Sequence, residues 1–224
     1  MTKQLIRARI EEIGVIPSVR LSSTSDALFA AEEVSQSGLH IVEVTMTVPG
    51  AIDIIRELAR NNPDLIVGAG TVFSVETARQ CVDAGAKYLT STGLSLPVVE
   101  FALKEGILVL PGALTPTEIA AAWHSGADFV KVFPCSTMGG ASYIRTLKQP
   151  FPDVPLIASG GVNQANTADF ILSGAIAVGI GRDLVQPAAI ERRERGWIRE
   201  LARRYMRIVQ DARKQLRGGA AGLS

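Results

Sequence analysis

Eight short apolar, β-rich runs recur along the 224-residue chain, with starts about 20–27 residues apart, and each is followed by a stretch that reads as helix. They are VIPSV (15–19), IVEVTM (41–46), LIVGAG (65–70), YLTST (88–92), ILVLPG (107–112), FVKVF (129–133), PLIASG (155–160) and AVGIG (177–181). Near-continuous apolar runs suit strands buried on both faces, and a strand–helix repeat gives parallel strands joined by helical crossovers. Punctuation supports the helices between them. Ser74 opens S-V-E-T, Thr115-Pro116-Thr117-Glu118 supplies a cap with proline and glutamate in the first turn, and Gly38, Gly85, Gly106, Gly126 and Gly174 fall just before the next strand. Eight units in roughly 200 residues predict one α/β domain, a (β/α)8 barrel with an N-terminal helix and an extended C-terminal helix. An open doubly wound sheet is the alternative, but no early G-x-G-x-x-G turn supports it. The domain is expected over residues 1–217, with GGAAGLS (218–224) as a flexible tail.

Charge narrows the function classes. The formal net charge is +1, so no global field favours nucleic acid or a membrane surface. The balance hides an asymmetry: residues 191–217 carry ten Lys and Arg against four Asp and Glu. Trp197, Ile198, Leu201, Tyr205, Ile208 and Val209 recur there at helical spacing, as expected of a terminal helix that covers the barrel or meets another subunit. Binding of an acidic partner is the alternative. Cys81 and Cys135 have no framework spacing and read as reduced thiols. The N-terminus lacks an apolar signal core and no run approaches the length of a membrane span, so a soluble cytoplasmic protein is expected.

The most informative residue is Lys131, set among Phe129, Val130, Val132 and Phe133. An ammonium group there costs several kcal/mol to desolvate unless it is paired. Strand side chains alternate, so residues 129, 131 and 133 share one face of the sixth strand and residues 41, 43 and 45 one face of the second. If both faces point inward, Lys131 meets Glu43, because even-numbered strands fill the same interior layers. The pair could be purely structural. However, a lysine in low dielectric gives up its proton more readily, and the free amine condenses with ketones. A neighbouring carboxylate can move the protons that condensation requires. Together they point to Schiff-base chemistry.

The segments VEVTMTVPGA, IVGAGTV, LPGALTPTE, VKVFP and ASGGVN, in this order between residues 14 and 187, resemble the 2-keto-3-deoxy-6-phosphogluconate (KDPG) and 4-hydroxy-2-oxoglutarate (KHG) aldolases. The resemblance implies a metal-independent class I aldolase that needs no cofactor. Its substrate would be a phosphorylated 2-keto acid cleaved to pyruvate and glyceraldehyde 3-phosphate, and the assembly a homotrimer. It also implies that Lys131 is the Schiff-base lysine and Glu43 the acid/base. Thr71 is then placed near the keto-acid end, and Phe133 beside the lysine. Two departures stand out. Some members carry an arginine where this chain has Thr47, so Arg20, in PSVRL, is expected to hold the carboxylate instead. Thr92 replaces a proline common at the substrate pocket, which leaves substrate range open.

Barrels often bind phosphate through backbone N–H groups in the loops after the seventh and eighth strands. Here those loops offer Gly160-Gly161 and Gly179-Ile180-Gly181, followed by Arg182. Many relatives have serine or glycine at the Arg182 position, so a guanidinium contact to phosphate competes with a surface ion pair. His40 and His124 are expected at the opposite end of the barrel, so no metal site is expected. Three alternatives stay open: the same chemistry on 2-keto-3-deoxy-6-phosphogalactonate or on 4-hydroxy-2-oxoglutarate; a phosphosugar isomerase or epimerase; and a non-enzymatic phosphometabolite-binding protein.

Overall fold

The computed structural model describes residues 1–221. After helix α1 (Lys3–Ile13), strands β1 (Val15–Val19), β2 (Ile41–Thr45), β3 (Ile66–Gly70), β4 (Tyr88–Thr90) and β5 (Leu108–Leu110) alternate with α2 (Thr24–Ser35), α3 (Ala51–Asn61), α4 (Val75–Asp83) and α5 (Leu96–Lys104). The second half runs through β6 (Gly112–Ala113), α6 (Pro116–His124), β7 (Val130–Val132), α7 (Ala141–Lys148), β8 (Leu156–Ser159), α8 (Thr167–Leu172) and β9 (Ala177–Ile180). Helices α9 (Pro187–Glu191) and α10 (Arg195–Ala221) complete the chain.

All strand pairs are parallel, in the order β5-β4-β3-β2-β1-β9-β8-β7-β6. The two ends of that order are consecutive in the chain, separated only by Pro111. β5 and β6 are therefore one barrel strand split at a proline, and the nine segments form the eight strands of a (β/α)8 barrel. ILVLPG was expected as one strand; it divides because Pro111 has no N–H to give to the ladder.

The local signals act as expected. Ser74 accepts from the Thr77 N–H, and Thr115 and Glu118 form a reciprocal capping box. Helix α10 does cover the barrel: Ile198, Leu201, Ala202, Tyr205, Val209 and Ala212 are buried, and the helix packs on α2 and α8. Trp197 departs from the expected stripe. It is 39% exposed, with its indole N–H donating to Gln186 and Arg204 over its ring. α10 extends to Ala221, and the last three residues of the tail expected at 218–224 lie outside the described residues.

Several arginines of this region turn back onto the chain's own carboxylates. Glu33 of α2 is 1% exposed and accepts from Arg199 Nε at 2.6 Å, with Arg195 Nη1 at 3.2 Å. Arg193 pairs with Asp26 at 2.8 Å and stacks 4.5 Å above Phe29. Removing one partner of a buried pair leaves a desolvated charge. Arg199→Ala should therefore lower the stability by about 2–3 kcal/mol, since the more exposed Arg195 compensates only in part. The readout is a lower urea midpoint at constant m-value; an unchanged midpoint would show that Arg195 alone suffices for Glu33.

Candidate active site

The site lies where the carboxyl ends of the strands open. A cleft of about 470 Å³ is bordered by Lys131 and Phe133 from the β7 segment, Ser18 and Arg20 from the β1 segment, and Ser159 through Val162 at the carboxyl end of β8. Gly179, Gly181, Arg182 and Thr92 border it as well. Nine of the residues singled out in the sequence thus converge on one cleft: Arg20, Thr92, Lys131, Phe133, Gly160, Gly161, Gly179, Gly181 and Arg182. Glu43 and Thr71 do not border it. Glu43, 3% exposed, lies within hydrogen-bonding reach of groups around Lys131. Thr71 follows β3 in the left-handed region at φ 63°, a conformation that costs a β-branched residue energy and recurs at functional sites.

Lys131 and Glu43 meet inside the barrel, as alternation required. Lys131 Nζ is 3.6 Å from Glu43 Oε2, with both side chains at most 10% exposed. Two hydroxyls that the sequence reading passed over complete the group. Thr90 Oγ1 accepts from Lys131 Nζ at 3.1 Å and donates to Glu43 Oε2 at 3.1 Å, while Ser18 Oγ donates to Glu43 Oε1 at 2.7 Å. The signal that exposed Lys131, a polar side chain in an apolar strand, was present for both in VIPSV and YLT. Phe133 stands with its ring centroid 6.0 Å from Lys131 Nζ.

The IVGAG segment makes room for this group. A Cβ on Gly70 would overlap the Glu43 carboxylate, and one on Gly68 would overlap the Tyr88 ring. Tyr88 is fully buried, and burial, with the Glu43 charge second, holds its phenol well above the ordinary range. Burial also pushes the Cys135 thiol up to about 11, which leaves little thiolate at neutral pH and gives no footing for thiol catalysis.

The glycine loops divide in character. Gly160 and Gly161 have φ of 88° and 80°, and their missing side chains let Pro134 and Ser136 pack close, so local geometry alone requires them. At Gly181 a Cβ would meet only the Ser18 carbonyl at an ordinary 3.8 Å, so the protein's own packing does not require glycine there. β1 pairs with β9, which puts Arg20 and Arg182 on neighbouring strand ends at one side of the mouth, whereas Thr92 follows β4. Neither arginine pairs with a carboxylate among the described residues. Among the described residues, then, Arg182 makes no surface ion pair. Among the described residues no group of three or more His, Cys, Asp or Glu side chains is arranged to hold a metal, and no helix is long and apolar enough to cross a membrane.

Residues 6–201 match the family model described as KDPG and KHG aldolase. The chain belongs to that aldolase family. Two curated relatives illustrate the similarity. The aldolase is 30% identical over 200 residues to the 2-dehydro-3-deoxy-phosphogluconate aldolase of Treponema pallidum, covering 89% of this chain and 95% of that one. It is 31% identical over 190 residues to the KHG/KDPG aldolase of Escherichia coli K12, covering 84% and 89%. Among solved structures it resembles the KDPG aldolase of Legionella pneumophila, described with pyruvate captured as a covalent carbinolamine intermediate. The TM-score there is 0.81 at 30% identity, over 88% of this chain and 95% of that one. The family is one of aldehyde-lyases, so the aldolase is an enzyme that makes or breaks carbon–carbon bonds.

Proposed function

We propose that this aldolase cleaves 2-keto-3-deoxy-6-phosphogluconate to pyruvate and glyceraldehyde 3-phosphate through a Schiff base on Lys131. The observation that carries the reading is the placement of Lys131 Nζ at the cleft, 3.6 Å from the otherwise buried Glu43. An amine can reach the C2 ketone there, and a carboxylate fixed by two hydroxyls can take and return protons. The carbinolamine captured in the Legionella relative is the intermediate this chemistry passes through.

The unprotonated amine of Lys131 attacks C2, and loss of water gives an iminium that serves as electron sink. Glu43, directly or through a water, takes the C4 hydroxyl proton. The C3–C4 bonding pair flows into the iminium, glyceraldehyde 3-phosphate leaves, and an enamine remains. Protonation of the enamine at C3 and hydrolysis release pyruvate and free Lys131. Phe133 and Thr92 wall the pocket, and Thr71, which does not border the cleft, is assigned to the keto-acid end on the family resemblance alone. Arg20 is assigned to the carboxylate, and Gly160, Gly161, Gly179, Gly181 and Arg182 to the phosphate. A homotrimer belongs to the proposal on the family resemblance alone. The deciding assay is pyruvate release from the gluconate and galactonate phosphates and from 4-hydroxy-2-oxoglutarate. The proposal requires the highest kcat/KM on the gluconate phosphate; preference for another substrate reassigns the specificity within the same mechanism.

The two arginines make a sharper test, because their neighbouring strands would let both serve one anion. Losing one partner of a desolvated charge pair costs on the order of 2–5 kcal/mol, so large losses of kcat/KM are expected. Arg20→Ala should impair every 2-keto acid, since all carry the carboxylate. Arg182→Ala should impair only phosphorylated substrates and leave 4-hydroxy-2-oxoglutarate cleavage near wild type. If Arg20→Ala instead spares the unphosphorylated substrate, Arg20 belongs with Arg182 at the phosphate. Equal losses on both substrates for Arg182→Ala would remove it from the phosphate site.

A further inference from the structure

Thr90 occupies a place that the lysine–carboxylate chemistry does not by itself explain. The direct Lys131–Glu43 separation of 3.6 Å lies beyond a good hydrogen bond, whereas both legs through Thr90 Oγ1 measure 3.1 Å. A hydroxyl is donor and acceptor at once, and here both capacities are used, one toward each partner. Thr90 is 2% exposed. Ser18 fixes the second carboxylate oxygen at 2.7 Å, which leaves Oε2 turned toward Thr90. A chain that needed only a filled core at this point of β4 could use valine, which has the shape of threonine without the polar atom that must be satisfied.

We propose that Thr90 is a catalytic residue, a hydroxyl relay that carries a proton from Lys131 Nζ to Glu43 Oε2 as the carbinolamine forms. The proposal rests on the reading of Lys131 as the Schiff-base lysine. When the amine attacks C2, the N–C bond forms and the carbonyl π pair moves to oxygen, leaving a positively charged nitrogen that bears two protons. One N–H bond breaks and its proton passes to Thr90 Oγ1. The Thr90 O–H bond breaks in the same step and its proton passes to Glu43 Oε2. Thr90 ends as it began and nitrogen is neutral. Protonated Glu43 returns its proton to the C2 alkoxide, giving the neutral carbinolamine. A second proton, taken from solvent at the open cleft, lets that oxygen depart as water while the nitrogen lone pair closes the iminium. Ser18 is a positioning residue in this scheme, holding the carboxylate in line without touching the reacting nitrogen.

The test is rapid-quench borohydride trapping of the imine with pyruvate, comparing wild type, Thr90→Val and Thr90→Ser, with the adduct mapped by peptide mass. Thr90→Val should slow imine formation roughly 10²-fold, the lower end for a positioned proton-transfer group. Thr90→Ser, which keeps the hydroxyl, should restore most of the rate, and the adduct should map to Lys131 in all three proteins. Independently of any variant, the wild-type rate in H2O–D2O mixtures should curve, because two protons move together. Wild-type trapping rates in Thr90→Val, a Thr90→Ser rate as slow as that of valine, or a linear wild-type isotope dependence would each overturn the relay while leaving the Schiff base intact. Absence of a wild-type adduct at Lys131 would overturn the Schiff-base reading and the relay with it.

Discussion

Lys131→Met should reduce aldol cleavage by on the order of 10⁶-fold or more while leaving a folded barrel. Methionine matches the unbranched stem of lysine and fills a buried site without a charge to desolvate. Glu43 would keep its bonds from Ser18 and Thr90, so the substitution does not strand a bare carboxylate. What disappears is the only amine in the group around Glu43, and with it the electron sink. A cooperative melting transition, even one lowered by the lost counter-charge of Glu43, with no pyruvate release separates loss of chemistry from loss of fold. Substantial residual turnover would show that Lys131 acts electrostatically, as an isomerase-type reading would have it.

Glu43→Gln carries the second large effect. The amide keeps the shape of the side chain and can still accept from Ser18, but it cannot take a proton at neutral pH. Turnover should fall roughly 10²–10⁴-fold, the usual contribution of a positioned acid/base. Near-normal kcat, with a folded protein, would reduce Glu43 to a counter-charge for the lysine.

How much of this was legible in the sequence depended on the length scale of the signal. The barrel was legible because eight apolar runs at a steady interval admit few architectures, and Ser74 and the Thr115–Glu118 box announced their helices locally. The meeting of Lys131 and Glu43 followed from strand alternation once the barrel was assumed. The split of the fifth strand at Pro111 was missed because the apolar pattern runs straight through it. Ser18 and Thr90 were missed for a different reason. A hydroxyl in a strand is common, and only the folded chain shows that these two face one carboxylate. The reasons for Gly68 and Gly70 were likewise hidden, since both make room for side chains from other strands. Arg20 and Arg182 could each be assigned to the mouth from their strand ends, but their adjacency required the β1–β9 pairing.

Incubation of the wild-type protein with pyruvate and borohydride, followed by intact mass and peptide mapping, tests the central claim most directly. Lys131 is buried beside Glu43 and Thr90 at the cleft, and the account predicts a single reduced pyruvyl group per chain, located on Lys131 and absent from Lys131→Met. A stable adduct on another lysine with Lys131 unmodified, or no adduct at all under conditions where the enzyme cleaves its substrate, would contradict it.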